Sequence, residues 1–328
     1  MEEYGKGAVK DLPDSRDLVF GAIAEAVGAL NAPSWEDGYD VEQLYGKLTQ
    51  KDQNGSLSCV SQGWSYYAEA LERAENGEDV PISARFIYSQ IHLPQGAAYV
   101  RDGADILVSQ GSCQEDLCSS YPNDEQSLRV LPSDEARTAA KTYQAKSYAS
   151  VGPNFELFRQ ALFAGKGMVT AFTGSNTGWH VDADGFIRPP TADDIRWGHC
   201  VFLVGYGIHN GRKSFKIKNS WGTAWGIDGY AWVDENYFNA ENNSLVFSGW
   251  TLVDLPDKYQ SKFMFNLLKG DGPNVYAVAG DKKHLIVNQD SFDAGVADGL
   301  WSNEIHTVAQ ADIDVIVEGQ GILLFKNN

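Results

Sequence analysis

The stretch "IKNSWGTAWGIDGY", Ile217–Tyr230, sets a side-chain amide, Asn219, at the end of a run that alternates as a half-buried strand does, and follows it with Trp221. The glycine-rich segment after it turns the chain into a second such run, "GYAWVDE". A neutral amide at a strand end can orient an imidazole without abolishing its basicity, and an indole can keep water off that hydrogen bond. The stretch asks for a histidine. Among His92, His180, His199, His209, His284 and His306, His199 stands out, because "GHCVFLVGYG" places it at the entrance of an apolar strand that would hold its ring rigidly.

An imidazole so placed asks in turn for a nucleophile. In "KDQNGSLSCVSQGWSYYAEALE", Lys51–Glu72, Cys59 lies between a small polar loop and a run in which Val60, Gly63, Trp64, Tyr67, Ala68 and Leu71 recur at helical spacing. That spacing predicts a helix with one buried face, beginning at or beside Cys59. A cysteine attacks as its thiolate, and a helix N-terminus with an imidazolium partner is the usual way to lower its pKa. On its own, a lone buried cysteine is more often inert.

The remaining cysteines, Cys113, Cys118 and Cys200, are too few for a disulfide scaffold. Cys113 and Cys118 in "GSCQEDLCSSYP" can be two free thiols, a local disulfide or part of a metal site, but no second Cys/His pair has zinc-ligand spacing. No cofactor or metal is implied. A net charge of −18, from 44 acidic against 26 basic residues, disfavours general affinity for nucleic acid or anionic lipid. No apolar stretch approaches the ~20 residues of a membrane span, and "MEEYGKGAVKDLPDSRD" lacks the basic-then-apolar order of a signal peptide. The expected location is the cytoplasm, or the interior of a virus-like particle that carries the chain.

Along the chain, "VFGAIAEAVGALN", "PISARFIYSQIHL", "AAYVRDGADILVSQG" and "NFELFRQALFAG" read as helices, and after Gly167 the texture turns to short strands between Gly, Asn and Asp turns. A helical first half before a sheet-rich second half is an α+β order. Another shift near "DLPDKYQ", Asp254–Gln260, precedes "NVYAVAGDKKHLIVNQDSF", a hairpin turning at Gly280–Asp281, and "DVIVEGQGILLF", read as further strands. The expected division is an N-terminal extension over 1–32, a main domain over 33–255 and a small all-β module over 259–328 that docks to a protein partner or assembly.

Taken together, these residues resemble the papain-like cysteine peptidases, whose nucleophilic cysteine is followed by a histidine and an asparagine far downstream. "GHCVFLVGYG" is similar to the family's histidine strand, and "NSWGTAWGIDGY" is nearly its asparagine block. The likeness runs over roughly Pro33 to Val253. It implies a two-part fold with a helical half and a β-barrel-like half. It also implies hydrolysis of protein or peptide substrates through a Cys59 thiolate and His199 imidazolium, with Asn219 setting the tautomer and Trp221 shielding it. Gln53, six residues before Cys59, matches the glutamine that helps bind the oxyanion, together with the backbone N–H of Cys59. Gly96 and Ala97 stand where the family's Gly-Gly edge pairs with substrate backbone, and Met168, Trp197 and Gly198 fall where the pocket for the side chain preceding the scissile residue would form.

Some residues depart from that pattern. Val60 replaces a tryptophan common after the nucleophile, Ser56 replaces a disulfide cysteine, and Cys200 stands where alanine is common. The residues before Pro33 are far fewer than an inhibitory prosegment of the usual kind, so zymogen control of that kind is not expected. An alternative reading keeps the fold as a structural or binding component of a larger assembly, with weak or no peptidase activity.

Overall fold

The computed structural model describes residues 5–12, 14, 17–238, 245–254, 266–279, 282–297, 301, 305–314 and 316–318. Its contacts divide the chain into two units. One takes the described residues up to Asp11 together with Gly28–Asp254, and the other takes Leu12–Val27 with the residues after Asp254.

The first unit contains β1 (Ala8–Val9), β2 (Tyr39–Asp40), α1 (Cys59–Asn76), α2 (Ala84–Ile91), β3 (Ala98–Tyr99), α3 (Val100–Ser109), β4 (Tyr148–Ser150), α4 (Phe155–Ala164), β5 (Met168–Ser175), β6 (Arg196–His209), β7 (Arg212–Lys218), β8 (Tyr230–Asp234) and β9 (Val246–Leu252). Its large sheet runs β4-β9-β5-β6-β7-β8, with β2 added alongside β6. Every pairing in it is antiparallel, and β4 and β8 do not pair, so the sheet is open rather than a closed barrel. The helices precede the main strands in the chain, as the segregated α+β order requires.

Helix α1 positions the site. Its C-terminus is closed by Gly77 in the left-handed conformation, whose N–H reaches the Arg73 and Glu72 carbonyls. The sequence spacing predicts one buried face, yet every residue from Cys59 to Ala70 is buried, because the helix runs between the sheet and its helical neighbours. Gly63 lets it lie close to β6: a Cβ there would stand 3.5 Å from both Cys200 Sγ and Val169 Cγ1. On the other side Trp64 Nε1 donates to the Val100 carbonyl at 2.8 Å. The polar residues of this helix are satisfied within the fold. Ser61 and Ser65 donate back to Ser58 O and Gln62 O, and Glu69 accepts from Lys51 Nζ at 2.7 Å and Ile82 N at 2.9 Å.

The second unit carries β10 (Asn266–Lys269), β11 (Val275–Ala279), β12 (Lys282–Leu285), α5 (Gln289–Ala297), β13 (His306–Thr307), α6 (Gln310–Asp314) and β14 (Val317–Glu318). Its sheet runs β13-β10-β11-β12-β14, and β11 pairs with β12 as a hairpin. The expected turn at Gly280–Asp281 and the segment Leu255–Gln260 lie outside the described residues. The module is not all-β, because two helices stand in it. Phe292 and Val296, one helical turn apart on α5, pack with Leu267, Ala277, Ile286 and Trp301. Nor is 1–32 a single extension: Ala22 packs against Leu268, Val278 and Ile313 of this second unit.

Cys113 and Cys118 are buried free thiols in a small core with Phe86, Ala136 and Ala140. Among the described residues no helix is long and apolar enough to cross a membrane, and no group of His, Cys, Asp and Glu could hold a metal ion.

Candidate active site

Antiparallel pairing of β6 with β7 sets Phe202 opposite Lys218, which brings His199 and Asn219 to the same end of the sheet. Their side chains meet, with His199 Nε2 2.7 Å from Asn219 Oδ1. The backbone N–H of Ser220 also donates to Oδ1 at 2.8 Å, which identifies that atom as the amide oxygen and an acceptor. Nε2 therefore carries the proton, and Nδ1, buried and without a partner, holds a free lone pair. Trp221 covers the pair, its ring centroid 4.3 Å from the imidazole, and Trp179 meets the same ring edge-on at 5.4 Å.

Cys59 opens α1, with its Sγ in the ground between helix and sheet. Gln53 reaches the same ground and is tied to the histidine side through Ser220. Its N–H donates to Ser220 O at 2.8 Å, its Oε1 accepts from Ser220 Oγ at 2.7 Å, and its Nε2 donates to Ser56 O at 2.6 Å on the cleft side of the loop. Where the disulfide position holds Ser56, hydrogen bonds fix the loop instead. Leu57 N donates to Glu125 at 3.0 Å, and Glu125 also accepts from Tyr88 OH at 2.5 Å and Arg129 Nε at 2.8 Å. Those partners hold the Glu125 carboxyl below the usual range despite its partial burial.

The cleft between these groups is filled by the chain's own N-terminal residues. Gly7 N donates to Cys59 Sγ at 3.3 Å, and Gly5 O accepts from Gln53 Nε2 at 3.3 Å and Trp221 Nε1 at 3.1 Å. Beyond Cys59, β1 pairs in parallel with β3, and Ala98 N donates to Gly7 O at 2.8 Å. Asp11 anchors the far end by accepting from Arg101 N and Trp250 Nε1, each at 2.9 Å. Glycine is required at two points: a Cβ on Gly5 would overlap Ser56 O, and one on Gly7 would overlap Leu57 O.

Covering the cleft reverses the expected electrostatics. Cys59 and His199 are both completely buried. Burial pushes the thiol up to about 11, against hydrogen bonds that lower it. Burial likewise pushes the imidazole down to about 3, with Lys6 adding to the shift and the Asn219 hydrogen bond opposing it. The covered pair is a neutral thiol and a neutral imidazole, whereas the sequence reading expects a thiolate and an imidazolium.

The structure thus brings Cys59, Gln53, His199, Asn219 and Trp221 into one cleft. Gly198 forms part of its wall, where a Cβ would overlap Ala8 O. Gly96, at φ 101°, makes a turn instead: its N–H donates to Leu93 O, and its carbonyl accepts from Tyr88 OH. Ala97 accepts from Leu93 N, and the backbone bond to the N-terminal segment comes from Ala98. Met168 is buried against Gly249, and His180 is exposed. Sequence reasoning missed Ser220, Glu125, Trp179 and the whole of residues 5–11. Only Ser220 had a signal, its place inside the "NSW" block.

An α+β fold that sets a cysteine at a helix N-terminus against a histidine and an asparagine on an antiparallel sheet is the architecture of a papain-like cysteine peptidase. Residues 96–247 match the family profile described as papain family cysteine protease, a span that includes His199 and Asn219 and begins after Cys59. The chain is 26% identical over 296 residues to an uncharacterized peptidase C1-like protein of Acanthamoeba polyphaga mimivirus, covering 82% of this chain and 93% of that one. It is 24% identical over 222 residues to mouse cathepsin K, covering 64% of each chain. Among solved structures, xylellain, a cysteine protease from Xylella fastidiosa, superposes with a TM-score of 0.64 at 24% identity, over 78% of this chain and 98% of that one. The profile match over residues 96–247 and these cysteine protease relatives support a cysteine-type peptidase.

Proposed function

We propose that the protein hydrolyses peptide bonds through Cys59 and His199, and that residues 5–11 hold it latent. The observation that carries this reading is a peptide backbone already laid across Cys59, with one carbonyl on Gln53 Nε2 and one N–H on Sγ. A cleft that takes an extended peptide in this way suits a substrate of the same kind. With the segment withdrawn, water returns to the pair, the helix N-terminus acts on Cys59, and proton transfer to Nδ1 gives the thiolate. The thiolate adds to the substrate carbonyl, and Gln53 Nε2 with the Cys59 N–H receives the oxyanion. Asn219 holds the imidazolium, which protonates the leaving amine. Water, deprotonated by His199, then hydrolyses the thioester.

The test is irreversible labelling by an epoxide-type cysteine-peptidase inhibitor, with the modified residue located by mass spectrometry. The full chain should label slowly and the full-length Gly5→Val/Gly7→Val variant quickly, at Cys59 alone, with labelling lost in Cys59→Ala and strongly reduced in His199→Ala. Asp11→Ala opens the cleft by a second route. Absence of labelling in both opened variants, with folding verified by circular dichroism, refutes the peptidase reading and favours the fold as a binding component.

A further inference from the structure

The side chain between the two cleft glycines points into a site that the reaction does not use. Lys6 Nζ donates to Asn176 Oδ1 at 2.9 Å and stands 5.2 Å from the centroid of the Trp197 ring. Trp197 Nε1 donates to the same Oδ1 at 3.0 Å, so the two donors together identify that atom as oxygen and aim it at the cation. Trp197 is itself held, edge-on to Trp179 at 5.3 Å and to Trp221 at 6.0 Å. The indole face and the carbonyl form a preorganised receptor for a positive charge, with geometry suited to an ammonium or guanidinium.

We infer that Trp197 and Asn176 form a specificity subsite for a lysine or arginine side chain, in the substrate residue immediately after the scissile bond. The position follows from the two halves of the cleft. The acyl half runs along β3, where Ala98 N binds backbone. The leaving half lies over Trp221 and His199, whose imidazolium hands its proton to the departing amine. Trp197 borders that second half, 6.2 Å from the His199 ring. Lys6 occupies the subsite in the covered state, and its charge there also disfavours the imidazolium. The same receptor thus accounts for substrate choice and for part of the latency. This inference rests on the peptidase reading above.

The experiment uses full-length Gly5→Val/Gly7→Val and a peptide series with Lys, Arg, Ala, Leu or Glu after one cleavable bond, with products identified by mass spectrometry. Lys and Arg are expected to raise kcat/KM about 5- to 10-fold over Ala, the scale of an exposed cation–π contact plus one charge-assisted hydrogen bond. Trp197→Leu and Asn176→Leu should each collapse the Lys/Ala ratio toward one, and Lys6→Ala in the otherwise native chain should speed epoxide labelling of Cys59. Efficient cleavage with no cationic preference, or a preference confined to the acyl side, overturns the subsite and leaves the peptidase reading standing. Failure of the opened variant to label or cleave overturns both.

Discussion

Lys218, the residue before Asn219, is completely buried, and its replacement should cost the peptidase unit much of its stability. Its Nζ lies 3.0 Å from Glu42 Oε1 and donates to Tyr230 OH at 2.7 Å and Leu48 O at 3.1 Å. Glu42 is also nearly buried, and its other oxygen accepts from Tyr230 OH at 2.7 Å. Burial pushes the lysine pKa down and the Glu42 carboxylate opposes that shift, so the charge persists because of its partner. Lys218→Met removes the cation and leaves Glu42 charged in a dry site. Breaking a buried pair from one side typically costs ~3–5 kcal/mol, whereas replacing both partners can be close to neutral. At 2–4 °C per kcal/mol for a unit of this size, the single variant should melt roughly 6–20 °C lower. Thermal unfolding followed by circular dichroism and tryptophan fluorescence, on Lys218→Met, Glu42→Gln and the double variant, closes the cycle. The double variant should be more stable than either single one. Two single effects below ~1 kcal/mol, or effects that simply add, would refute the argument that the ion pair is held by mutual compensation.

Three further outcomes follow from the site. Because His199 is pushed down to about 3 in the covered state against 6.5 in its ordinary one, an uncovered or unfolded chain takes up the proton first. The covered state therefore keeps its full stability above pH ~6.5 and loses it as pH falls toward 3, so epoxide labelling of the native chain should accelerate on acidification. A labelling rate that is flat or falling over that range counts against it, provided the inhibitor's own pH dependence is measured on Gly5→Val/Gly7→Val. Glu125→Ala strips the Leu57 N–H of its acceptor, leaving Tyr88 OH to the Gly96 carbonyl, which costs about 1–3 kcal/mol and should lower kcat in the opened enzyme by loosening the nucleophile loop. Unchanged melting and unchanged kcat would assign that loop's order elsewhere. Gly63→Ala should be tolerated, since its Cβ would meet ordinary contacts at 3.5 Å, whereas Gly63→Leu should overpack by roughly 1–3 kcal/mol and part α1 from β6. Equal melting temperatures for the two variants would show that the glycine is not what sets that approach.

What could be read in advance, and what could not, divides by where an element's order comes from. Strands β6 and β7 announce themselves because their own apolar patterns demand burial, and with them came His199, near the start of β6, and Asn219, just past the end of β7. Helix α1 was legible in position for the same reason, but not in depth. Periodicity reports the face that is most apolar, and it is blind to serines and a glutamate whose burial is compensated by Ser58 O, Gln62 O, Lys51 and Ile82. Residues 5–11 carry no such internal demand. "GKGAVKD" has no amphipathic pattern, and its two-residue strand exists because β3 offers Ala98 N and because the cleft beside Cys59 admits nothing larger than glycine at two points. A segment shaped by its receptor becomes legible only once the receptor is built. The same physics makes such a segment releasable: it is held by a few hydrogen bonds and one anchoring carboxylate, so its affinity for the cleft can be changed without disturbing the core that folds around Cys59 and His199.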